Sequence, residues 1–208
     1  MARYRGPVVR LQRREGKNLH LKSPRSKAAA RANERRVPPG QHGLTRGKLS
    51  TYGVQLREKQ SLKRIYGLLE RQFRKLFAKA ARYRGVTGHV LLQLLERRLD
   101  NVVYRCGYAV TRSGARQLVS HKHVLVNGKL VNIPSYEVRP GDVISLTEKS
   151  KKMKPVEESL GYANADGRPH WIEFNADNMS AKFLSIPSRE DLTDIDVKEQ
   201  LIVELYSK

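Results

Sequence analysis

The chain has 208 residues, room for one large domain or two small ones. Its 41 Lys and Arg against 20 Asp and Glu give a net charge of +21, the footprint of a polyanionic partner. A single cysteine, Cys106, excludes an internal disulfide and a thiolate metal cluster. No apolar run suits a membrane span or a signal core, so a reducing, cytoplasmic setting without membrane contact is expected.

The charge is uneven. Residues 1–50 carry 14 basic and 2 acidic side chains, residues 51–90 carry 10 and 2, and residues 151–208 carry 8 and 11. The polyanion should be gripped by the first half, leaving the acidic end freer to meet protein. Residues 1–45 mix Arg3, Arg5, Arg10, Arg13, Arg14, Arg35 and Arg36 with Gly6, Pro7, Pro38, Pro39 and Gly40. Such a segment buries too little apolar surface to offset its chain entropy, so it is expected to be extended and to order on RNA. Tyr4 and His42 are candidates for base stacking, and Gln41, Arg46 and Lys48 for polar contact.

Residues 46–96 read as a helical domain. Leu62, Ile65, Tyr66, Leu69, Phe73, Leu76, Phe77 and Ala80 follow one helical stripe, which is core. Arg64, Arg71, Lys75, Lys79 and Arg82 form a second stripe; Arg64, Arg71 and Lys75 are taken as phosphate contacts. Gly67 should break the run into two helices, and Thr87-Gly88 should open a third.

Residues 97–160 read as a compact α+β domain. Leu95, Leu99, Val102, Val103 and Cys106 share one helix face, with Arg98, Asn101 and Arg105 on another and Gly107 as the stop. Thr111 or Ser113 can cap the next helix, which carries Arg112 and Arg116 one turn apart. Four guanidiniums on two adjacent helices can straddle a phosphate backbone. Asn127-Gly128 between short β-formers predicts a hairpin, and Val143 to Leu146 a returning strand. His121, Lys122, Asn127 and Lys129 would extend the arginine surface along that hairpin.

Residues 149–168 are polar and turn-rich and should wrap the surface. In residues 161–186, Trp171 to Phe174 alternates as a strand that Phe183 to Ile186 can pair with, extending the central sheet. Trp171 suits a core anchor better than base stacking. In residues 187–208, Val197, Leu201, Ile202 and Leu205 give a last amphipathic helix, although Leu201 to Val203 also reads as strand, and the helix is expected to rejoin the helical domain. No glycine-rich phosphate loop, paired metal-ligand histidines or nucleophile elbow is present, so neither enzyme activity nor a cofactor is expected.

Four runs of the central domain, RLDNVVYR (Arg98 to Arg105), ARQLVSHKH (Ala115 to His123), VNGK (Val126 to Lys129) and RPGDVI (Arg139 to Ile144), resemble the S-four RNA-binding domain family. In that family the helix pair and first hairpin form the RNA-contacting surface. ARYRGP at Ala2, RREG at Arg13, PPGQHG at Pro38, YGVQLREKQ at Tyr52 and EQLIVELYSK at Glu199 widen the resemblance over essentially the whole chain, to the bacterial-type S-four family of small-subunit ribosomal proteins. The resemblance implies a primary binder of small-subunit ribosomal RNA that nucleates assembly of the subunit body. It also implies contacts with ribosomal proteins S-five and S-twelve and with messenger RNA near the point where it enters. A part in translational accuracy and, in some bacteria, repression of the protein's own messenger follow from the same likeness. Some members hold zinc with four N-terminal cysteines; the equivalent positions here are Val9, Gln12, Ser26 and Arg31, so no metal is expected. Two alternatives are weaker. An RNA-modifying enzyme would need a catalytic domain for which no segment is left. In a helix-turn-helix DNA binder the helix pair would not run straight into a hairpin.

Overall fold

A computed structural model of the chain describes residues 4–23, 26–34, 37–44 and 47–207. The fold is α+β and divides into two compact units, residues 1–91 with 193–208 and residues 92–192.

The first unit is helical. It contains α1 (Val8–Glu15), α2 (Lys27–Glu34), α3 (Thr51–Ile65), α4 (Glu70–Ala80) and the opening of α5 (Thr87–Glu96), and is completed by α10 (Glu199–Tyr206). α3 starts where Ser50 Oγ accepts from the Gly53 amide at 3.1 Å. Leu62, Ile65, Tyr66, Phe73 and Ala80 of the expected stripe are buried, and Leu69, Leu76 and Phe77 half-buried. α10 packs on α3, with Ile202 fully buried where Leu201 is only half so. The Tyr206 ring stacks on Phe77 at 4.4 Å between centroids, and Gln55 Nε2 donates to Glu204 Oε2 at 2.9 Å.

The basic N-terminal segment is not extended throughout, contrary to expectation. α1, α2 and a 3₁₀ turn at Gln41–Gly43 interrupt it, and α1 packs against α3. The burial that composition concealed comes from few groups: Leu19, and the Glu15 carboxylate held by Arg57 and Arg64 of α3.

In the second unit, α6 (Leu99–Arg105) and α7 (Arg112–Ser120) precede β1 (Val124–Val126), β2 (Lys129–Leu130) and β3 (Val143–Leu146). α8 (Glu148–Lys151), α9 (Lys154–Asp166), β4 (Ile172–Asn175) and β5 (Ser180–Phe183) follow. The five strands form one antiparallel sheet in the order β2-β1-β3-β5-β4. Asn127 and Gly128 both take left-handed φ, 49° and 75°, which the tight β1–β2 turn requires. Tyr108, buried in the link between α6 and α7, donates its hydroxyl to Met179 O at 2.8 Å and to Ile144 O at 3.2 Å, fastening that link to the sheet. Trp171 is core, at 3% exposure.

Two expectations here are corrected. Residues 149–168 are mostly helical, because Val156, Ser159 and Leu160 supply a narrow buried face that a polar composition hides. Gly107 carries no side chain to block α9: a Cβ there would overlap that of Ala163, and Ser159 Oγ donates to Gly107 O at 2.7 Å. The strand opposite β4 is Ser180–Phe183, so Phe183 closes it instead of opening it; Leu184 and Ile186, which suggested the later register, are exposed.

Candidate RNA-binding surface

The central helix pair is built around buried carboxylates. Arg98 grips Asp100 with both prongs, Nε to Oδ1 at 3.0 Å and Nη2 to Oδ2 at 2.8 Å, and Arg116 Nη1 reaches the same Oδ2 at 3.0 Å from α7. Glu96 accepts from Arg105 Nε and Nη2, both at 3.0 Å, and from Asn101 Nδ2 at 2.8 Å. Arg112 Nε donates to Asn101 Oδ1 at 2.9 Å, and its guanidinium lies 4.5 Å from the Tyr104 ring centre. Arg98, Arg112 and Arg116 are only 4%, 9% and 7% exposed.

The expected open groove of four guanidiniums is therefore corrected. A buried carboxylate must be compensated, and the arginines turn inward to do it. The residues that organise them, Glu96, Asp100 and Asn101, were missed as a group. The signal was present: Glu96 and Asp100 each lie two positions from Arg98. Cys106 is buried beside this network, its thiol pushed up to about 12 by burial and so inert.

The hairpin is more open. His121, Lys122 and Lys129 are exposed, whereas His123 pairs its Nδ1 with Ser150 Oγ at 2.8 Å. Asn127 is exposed but committed: its Nδ2 donates to Asp142 Oδ1 and its Oδ1 accepts from the Val143 amide, both at 2.8 Å. It fixes the hairpin tip to the Pro140–Asp142 turn and so orients Lys129 nearby.

In the first unit, Tyr4, Arg14, Gln41, His42, Lys48, Arg71 and Lys75 are exposed. Arg13 is half-buried and donates Nε to Val37 O at 3.0 Å, tying α1 to the turn before the 3₁₀ segment. Arg64 leaves the basic stripe and turns in to Glu15 and to Leu11 O. Burial pushes the Glu15 carboxyl above its ordinary value, outweighing the pull of Arg64, Arg57 and Arg14. Arg3, Arg35, Arg36 and Arg46 lie outside the described residues.

An exposed basic helical unit, joined to a helix pair and hairpin on a small antiparallel sheet, defines an RNA-binding protein of the S4-domain class. Residues 3–96 match the ribosomal protein S4/S9 N-terminal domain, and residues 97–144 the S4 domain. The chain is 58% identical to small ribosomal subunit protein uS4 of Hahella chejuensis over 208 residues. It is 56% identical to that of Thermodesulfovibrio yellowstonii over 209 and 55% to that of Chromobacterium violaceum over 208. Each match covers 100% of both chains. The chain belongs to the uS4 family of small ribosomal subunit proteins. Its relatives are ribosomal proteins and it is not an enzyme.

Proposed function

We propose that the protein is a primary binder of small-subunit ribosomal RNA, bound in the cytoplasm to the ribosome, that nucleates folding of the subunit body. The observation that carries this reading is the set of exposed cations on the first unit, among them Arg14, Lys48, Arg71 and Lys75, with Lys122 and Lys129 on the hairpin. The inward-turned arginines hold the helix pair rigid, so the hairpin cations meet RNA in a fixed arrangement at little entropic cost. Ribosomal proteins S-five and S-twelve are the protein neighbours, met through the acidic later part of the chain, and messenger RNA passes near its entrance. A contribution to decoding accuracy follows from those contacts, and repression of its own messenger from reuse of the same RNA surface.

Chemical footprinting of small-subunit ribosomal RNA with and without the protein tests the reading. Protection concentrated at one multi-helix junction is expected before any other protein is added. Protection that is diffuse, or appears only after other proteins bind, would rule out a nucleating role.

A further inference from the structure

From Arg71 to Leu95 the chain carries no acidic residue. On α4, Arg71, Arg74 and Lys75 are exposed, and beyond its end Arg82, Tyr83, Arg84 and Val86 are exposed in turn. Backbone bonds from the Ala81 amide to Phe77 O, Arg82 to Lys79 O and Tyr83 to Ala80 O keep the winding helical past Ala80. Arg71, Lys75 and Arg82, four and then seven positions apart, thus share one face that ends at Tyr83. Among the described residues, Arg71, Lys75, Arg82 and Arg84 form no ion pair. Tyr83 is 49% exposed, and the neighbouring Val86 62%. A solvated basic face has no need of a half-bare aromatic ring at its end. A strand of RNA does: cations track its phosphates, and a ring takes the face of an unpaired base.

We propose that Tyr83 is an RNA-stacking residue. Its ring receives an unpaired base of ribosomal RNA, Arg82 and Arg84 hold the phosphates on either side, and the α4 face follows the strand. The inference rests on the RNA-binding reading above. The flanking charges favour nucleic acid over protein as the occupant, since a protein surface would have to be acidic to fit.

The test uses the full chain and transcribed bacterial small-subunit ribosomal RNA. Tyr83→Ala should weaken binding by roughly 5- to 100-fold, while Tyr83→Phe stays near wild type, because stacking needs the ring and not the hydroxyl. The dependence of affinity on salt should be the same for all three, since no phosphate contact is lost. Tyr83→Trp adds a reporter: the chain's own Trp171 is buried, so a quench on adding RNA that wild type lacks arises at position 83. If wild type binds and Tyr83→Ala binds equally well with no quench in Tyr83→Trp, the stacking role is overturned. If Tyr83→Ala keeps its RNA affinity but assembled subunits lose a neighbouring protein, the surface is a protein contact and the proposal is overturned. If wild type itself fails to bind, the RNA-binding reading falls first, a result distinct from either.

Discussion

What an arginine does depends on what stands opposite it. Arg98 and Arg116 are on the two helices that the sequence marks as RNA-facing, yet both bond to Asp100 inside the protein. Removing either arginine leaves Asp100 with the other but takes away a buried, charge-assisted hydrogen bond, at a cost of about 1.5–3 kcal/mol. Arg98→Ala and Arg116→Ala should therefore lower the free energy of unfolding by that much in urea titrations. Arg98→Lys should also destabilise, because lysine cannot fork onto both oxygens. Lys129→Ala, on the exposed hairpin, should shift stability by about 0.5 kcal/mol or less and act on RNA affinity instead. An Arg98→Ala variant as stable as wild type would show that Arg116 alone compensates Asp100.

At the scale of elements, what the sequence made legible followed the strength of the local signal. The α3–α4 stripe, the Thr111 cap of α7 and the Asn127-Gly128 turn each rest on a periodicity or a turn chemistry with few alternatives, whereas at α10 the helical spacing prevailed over a run that also reads as strand. α1 was not legible because its buried residue, Gln12, is polar, and α9 because only Val156 and Leu160 join Ser159 on its buried face, too few apolar residues to stand out from a polar run. The β5 register went astray because Leu184 and Ile186 are apolar but exposed. Within the candidate site, charge type was legible but its direction was not: inward and outward arginines look alike in one dimension.

A second elemental contact sets a pH dependence. Glu70, at the start of α4, accepts from Lys59 at 2.7 Å and Lys63 at 2.9 Å on α3 and from the Tyr206 hydroxyl at 2.9 Å on α10. Partial burial opposes its ionisation, but these bonds outweigh that and hold the carboxyl at about 2, below its ordinary 4.5. A folded value below the unfolded one means the contribution is complete above pH 4.5 and fades as pH falls toward 2. Glu70 is about half exposed, so screening limits the contribution to about 1 kcal/mol. Urea midpoints of wild type and Glu70→Gln should thus differ at neutral pH and converge on acidification. A constant gap down to about pH 2 would mean that packing, not charge, joins these three helices.

Over the whole molecule the two units divide the electrostatic work unequally. Residues 1–91 with 193–208 hold 26 basic and 8 acidic side chains, and residues 92–192 hold 15 and 12. Within the second unit, moreover, Arg98, Arg105, Arg112 and Arg116 are engaged with internal partners. Counterion release should come mainly from the first unit. With six to ten phosphate contacts, affinity should fall by roughly three to five decades between about 50 and 200 mM salt. Neutralising one exposed cation of the first unit, as in Arg71→Gln or Lys75→Gln, should reduce the slope of log affinity against log salt by about one. Arg105→Gln should leave that slope unchanged while lowering stability, since its charge is already spent on Glu96. Binding isotherms for the three variants across a salt series check this directly. A slope that falls for Arg105→Gln but not for Arg71→Gln or Lys75→Gln would move the phosphate grip to the second unit.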